Sequence, residues 1–163
     1  MPATFRPVYR LRFSLAMPDP DMPQPRYHTT IYAETNQGDQ IGFVHHVTGD
    51  ITSTRGMQYE RRPENSMDFY DKELLGHTPA AGYPTSFDYL LSKLPTPPQQ
   101  KEFNIATMRT EPFKTLDPLT FYETREARRP LIKCTEWVSD CAIPALQAAG
   151  LLVIHTEALV GAV

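Results

Sequence analysis

Residues 26 to 51, RYHTTIYAETNQGDQIGFVHHVTGDI, restrict this chain more than any other stretch. β-Branched and aromatic residues crowd both arms, and such side chains pack well on a pleated surface while losing rotamer freedom in a helix. Between the arms, NQGDQ (36–40) is rich in turn-forming residues. The stretch therefore predicts strands over 26–34 and 41–51 folded as a hairpin, and with them an antiparallel sheet. Alternation then sorts the side chains: His28, Thr30 and Tyr32 share a face, and His46 goes with Val44 and opposite to His45. The hairpin brings His28 beside one of the two neighbouring histidines.

The flanking sequence extends this pattern. PVYRLRFSLA (7–16) reads as a one-sided strand, and MPDPDMPQP (17–25), with four prolines, reads as an extended loop that cannot sustain a hydrogen-bonded ladder. Weak alternation over 52–75 predicts two further short strands. In SFDYLLSKLP, Phe87, Leu90, Leu91 and Leu94 recur at helical spacing, with Ser86 as the expected cap and Pro95 as the stop. Residues 96–118 read as the longest irregular part, a flap or lid, and the start of LTFYETREARRPLIK as a short helix.

From Cys134 a second helix is expected, with Trp137, Val138, Cys141, Ala145, Leu146 and Ala149 on its inner face. Pro144 removes a backbone donor and predicts a kink or two abutting helices, and Gly150 a stop. LLVIHTEALV would close the chain as a short strand or packed tail. The 163 residues, 40% of them hydrophobic, show no repeat or internal boundary, and one domain over 1–163 is expected.

Charge and composition narrow the function classes. A formal net charge of -3 and a pI near 5.9 give no basic stripe for phosphate backbones. Arg125, Arg128 and Arg129 alternate with Glu123 and Glu126 and read as a solvated face, so no nucleic-acid partner is expected. Arginines and prolines interrupt the first twenty residues where a secretory signal needs an apolar core, and no run reaches membrane-span length, so a cytoplasmic protein is expected. Cys134 and Cys141, seven residues apart on one helix, would hold their Cα atoms roughly 10 Å apart, too far for a disulfide.

Cys134 is the candidate nucleophile, because a helix N-terminus and a neighbouring histidine are the two devices that favour a thiolate, and the alternative is a small hydrophobic residue filling the core. Of His28, His45, His46, His77 and His155, the strand pair offers His28 and one of its neighbours. His77, in a turn, and His155, in an apolar tail, read as structural or solvent-exposed.

The order His28, Ile31-Tyr32, Val44-His45-His46 and then Cys134-Thr-Glu-Trp-Val138 resembles the permuted papain-like enzymes, which include lecithin retinol acyltransferase and its phospholipase-acyltransferase relatives. The landmarks also resemble those of small fungal proteins with Tyr-His, His-Val and Cys-x-x-Trp-Val. The resemblance implies an α+β fold, an antiparallel sheet packed against a few helices, with Cys134 as nucleophile, His28 as base and His46, followed by Val47, as third member. Lys133 stands where the acyltransferases have Asn, and Glu136-Trp137 where they have Glu-His, so their particular acyl transfer is not implied.

Three readings stay open. One is a hydrolase or transferase acting on a peptide or small-molecule carbonyl without cofactor; another is a catalytically idle binding scaffold on the same fold. In the third, Cys134, His28 and His46 ligate a catalytic zinc, although no tight CxxC or HxxxH spacing is present.

Overall fold

A computed structural model describes residues 4–36, 41–65 and 68–154. Five antiparallel strands form the main sheet: β1 (Phe5–Ser14), β2 (Tyr27–Asn36), β3 (Ile41–Gly49), β4 (Met57–Glu64) and β5 (Asp71–Pro79), in the order β4-β3-β2-β1-β5. The hairpin arms expected from the sequence are β2 and β3, paired from Asn36–Ile41 to Ile31–His45; residues 37–40 of the connecting turn lie outside the described residues. Gly42 is required there, since a Cβ would stand 2.1 Å from the Ala33 carbonyl oxygen.

The two sheet faces bury different clusters. Val8, Ile31, Ala33 and Val47 meet helix α1 (Thr85–Leu91) through Phe87 and Leu91, and the last helical run through Trp137, Val138, Ala142 and Leu146. Burying each large apolar side chain there contributes about 1.5–3 kcal/mol. Leu11, Tyr32 and Val44 form a smaller cluster on the other face, with Tyr9, Phe13 and Phe69 against it. The mixed α+β class expected from the sequence is present.

Helix α1 ends at Leu91, short of Pro95, and its N-cap is Pro84; Ser86 lies inside the helix and caps nothing. The expected lid at 96–118 is a second sheet. Strands β6 (Lys101–Asn104), β7 (Arg109–Leu116) and β8 (Leu119–Phe121) form an antiparallel meander, and β8 occupies part of the segment expected to be helical. Prolines mask the pattern: Pro112 sits within β7, opposite Lys101. The sheet joins the first where the Ile51 carbonyl accepts from the N–H groups of Gln100 and Lys101.

The final helical run consists of α2 (Cys134–Glu136), a π-helical segment (Trp137–Ala142) and α3 (Ile143–Ala148). Pro144 explains the break, because it offers no N–H to Asp140; one residue earlier the Ile143 N–H reaches five back to the Val138 carbonyl. The wider turn also rotates the buried stripe. Trp137 is followed five positions on by Ala142 and then by Leu146, so Cys141 is half-buried and Ala149 exposed rather than on the expected inner face. Gly150, at φ +73°, ends the helix as expected.

His77 lies in β5 and not in a turn, and exchanges backbone hydrogen bonds with Val153. Residues 155–163, including His155, are outside the described residues. Cys134 and Cys141 are free thiols. No helix among the described residues is long and apolar enough to cross a membrane.

Candidate functional site

Backbone pairing between β2 and β3 stops at Ile31–His45, although β2 begins at Tyr27 and β3 runs on to Gly49. At this opening two things replace the ladder. The His28 Nε2 and His46 Nδ1 atoms come within 2.8 Å, and the start of the last helical run docks against β2. The Thr135 and Thr29 hydroxyls are hydrogen-bonded at 2.9 Å, and the Cys134 thiol donates to the Tyr27 carbonyl at an Sγ–O distance of 3.7 Å.

Charged neighbours hold the helix start in place. The extended Lys133 precedes it, its N–H donating to Glu136 Oε1 at 2.9 Å, which closes one free end of the first turn. Arg26 grips the same carboxylate with two nitrogens, at 2.8 and 3.0 Å. Burial would raise the Glu136 pKa, but Arg26 and the Lys133 N–H hold it below the usual carboxylate value. Asp19 receives Lys133 at 2.8 Å and the buried Lys101 at 2.6 Å; against the opposing effect of burial, these cations lower its pKa to about 2.

The histidines divide as alternation predicts. His46 meets His28, and its Nε2 lies 3.0 Å from Glu60 Oε2 on β4, directly opposite it in register. Burial lowers the His28 pKa to about 4, assisted by His46 and Arg62. Burial also lowers His46, and Glu60 opposes the shift. Both rings are therefore neutral at pH 7.

His45 occupies the other face, fully buried, with Nδ1 2.7 Å from the Tyr59 hydroxyl and Nε2 2.8 Å from that of Tyr83. Tyr59 in turn donates to Asp88 at 2.9 Å. Hence Tyr59 accepts from Nδ1–H, and Tyr83 donates to Nε2. Both ring nitrogens are satisfied within the core, and burial pushes the His45 pKa down to about 3.

The opening thus brings His28 and His46 into contact, and Cys134 borders it without touching either ring. Cys134 is 7% exposed and belongs to the cluster around Trp137, while alternation directs His28 and His46 toward the face of Tyr32 and Val44. No hydrogen bond joins the thiol to either imidazole among the described residues. No group of three or more His, Cys, Asp or Glu side chains among them is placed to hold a metal ion, so these residues do not assemble the ligand set of the zinc reading.

A groove of about 370 Å³ runs beside the helix start, lined by Arg26, Arg128, Pro130, Leu131 and Glu136. Glu60, Arg26 and the Thr29–Thr135 contact carry no local signal in the sequence. Glu60 is legible only once β4 is in register with β3, and the other two join residues more than 100 positions apart.

No curated protein and no solved structure matches the chain. A family profile does match, over residues 15–153, a span that contains His28, His46, Glu60 and Cys134. With most of its length inside that match, the chain belongs to DUF6540, a family of unknown function.

Proposed function

We propose that this chain is a cysteine-dependent hydrolase or acyl transferase on a permuted papain-like fold, acting on an amide, peptide or ester carbonyl. The observation that carries the reading is the opening of the β2–β3 ladder, where a helix-start thiol bonds the carbonyl of the residue preceding His28 and His28 bonds His46. Cys134 is the nucleophile, His28 the base and His46 the residue that orients it.

Reaction begins when the thiol turns from the Tyr27 carbonyl toward His28; catalytic hydrogen bonds commonly tighten only with substrate in place. His28 Nδ1 takes the Sγ proton as sulfur attacks the carbonyl carbon, and the Cys134 backbone N–H receives the developing oxyanion. The imidazolium then gives its proton to the departing alcohol or amine as the C–O or C–N bond breaks, leaving a thioester. Water or an amine attacks that thioester, His28 takes the incoming proton, and sulfur leaves.

A second reading has its own observation. The thiol is 7% exposed and bonded to a backbone carbonyl, which suits a structural cysteine in an idle binding scaffold. Intact-mass analysis after incubation with activated esters, thioesters and peptide amides separates the two. The enzyme reading expects an acyl adduct or turnover that Cys134→Ser abolishes; a protein that is never acylated and turns over none of them is the idle scaffold.

A further inference from the structure

We infer that Glu60 is a positioning residue, the outer member of a Glu60–His46–His28 relay that fixes both imidazoles as Nε2–H tautomers and leaves His28 Nδ1 as the accepting nitrogen. Its catalytic meaning rests on the thiol-enzyme reading above; the tautomers themselves do not.

Proton counting along two hydrogen bonds carries the inference. An ionised carboxylate only accepts, so the 3.0 Å contact between Glu60 Oε2 and His46 Nε2 requires a hydrogen on that nitrogen. A neutral imidazole has one such hydrogen, which leaves His46 Nδ1 with a lone pair. The 2.8 Å contact then requires His28 Nε2 to donate to it. His28 is neutral as well, and its remaining nitrogen, Nδ1, bears a lone pair with no hydrogen-bond partner among the described residues.

Removing Glu60 removes the polarity of the chain. His46 is then free to reverse, with Nδ1–H donating to His28 Nε2, which drives the His28 proton onto Nδ1. In that arrangement the nitrogen that should accept a thiol proton is already occupied. Only the Glu60 end sets the direction, because the His28–His46 contact is satisfied either way. The Glu60 side chain is 48% exposed, so its replacement tests direction rather than folding.

Long-range ¹H–¹⁵N spectra of the imidazoles at pH 7.5 provide the test. The native protein should show both His28 and His46 as single Nε2–H tautomers. Glu60→Leu should lose that pattern at both rings, and Glu60→Gln, whose amide oxygen still accepts, should restore it. A native His46 protonated on Nδ1, or an unaltered pattern in Glu60→Leu, overturns the relay. Thiol alkylation of the same variants separates the two claims: altered tautomers with an inert Cys134 uphold the relay and count against the enzyme, whereas a changed thiol rate with unaltered tautomers overturns the relay alone.

Discussion

His28 Nε2 and His46 Nδ1 lie 2.8 Å apart just where the backbones of their strands have stopped pairing. Two side chains do there what a ladder does elsewhere, and the helix start enters the same opening. Bringing neutral rings together in a half-buried place requires a fixed donor and a fixed acceptor, which links the contact to the chemistry of Cys134.

The first prediction concerns the thiols. Cys141 is the more exposed of the two, so simple access would label it first. As a nucleophile, Cys134 should instead react with iodoacetamide ahead of Cys141, by on the order of tenfold or more, because thiolate character governs the rate. Peptide mass mapping of the native protein reads the order, and Cys141 labelling first would assign Cys134 to the core.

The adjacent histidines should fail in different ways. His45→Ala removes the acceptor of the Tyr83 hydroxyl and one of the two partners of the Tyr59 hydroxyl, which keeps Asp88, and opens a cavity, costing roughly 2–4 kcal/mol in urea unfolding. His46→Ala should unfold closer to the native midpoint but slow alkylation of Cys134. Equal stability losses with no change in thiol rate would leave His46 a structural residue.

Acid should weaken the fold in two stages. His28, His45 and His46 all have pKa values lowered by burial, so the unfolded chain binds more protons than the native one below the ordinary histidine value. Their stabilisation is complete above about pH 6.5 and declines as pH falls toward the lowered native values, which for His28 is about 4. Asp19, held at about 2, contributes above the usual carboxylate pKa and loses its contribution as pH falls through the range from near 4 to about 2. Unfolding free energies from urea titrations between pH 8 and 3 should fall by about 1.4 kcal/mol per pH unit for each extra proton the unfolded chain binds. His45→Ala should flatten the histidine part of the decline, from about pH 6.5 down to about 3.

Lys101, 5% exposed, contacts Asp19 and Asp21 at 2.6 Å each and ties the second sheet to the proline-rich loop beside the helix start. Lys101→Met should destabilise by on the order of 3 kcal/mol, because two partly buried carboxylates lose a cation. A midpoint unchanged at pH 7 would show the pair to be energetically silent.

Period-two alternation and turn chemistry determined the hairpin, and with it the side of the sheet on which each histidine lies, because a strand has only two faces. Helical spacing likewise located α1 and the Cys134 helix, and Pro144 announced a break. Residues 96–118 were illegible for a converse reason: prolines and weak alternation hide strands whose main support is one another. The tertiary structure alone decided that the β2–β3 ladder opens after Ile31–His45, that Glu60 stands opposite His46, and that the Cys134 thiol turns to the Tyr27 carbonyl. Each depends on register or docking between distant segments, and local residue preferences carry no information about which of several equally patterned pairings the packed chain adopts.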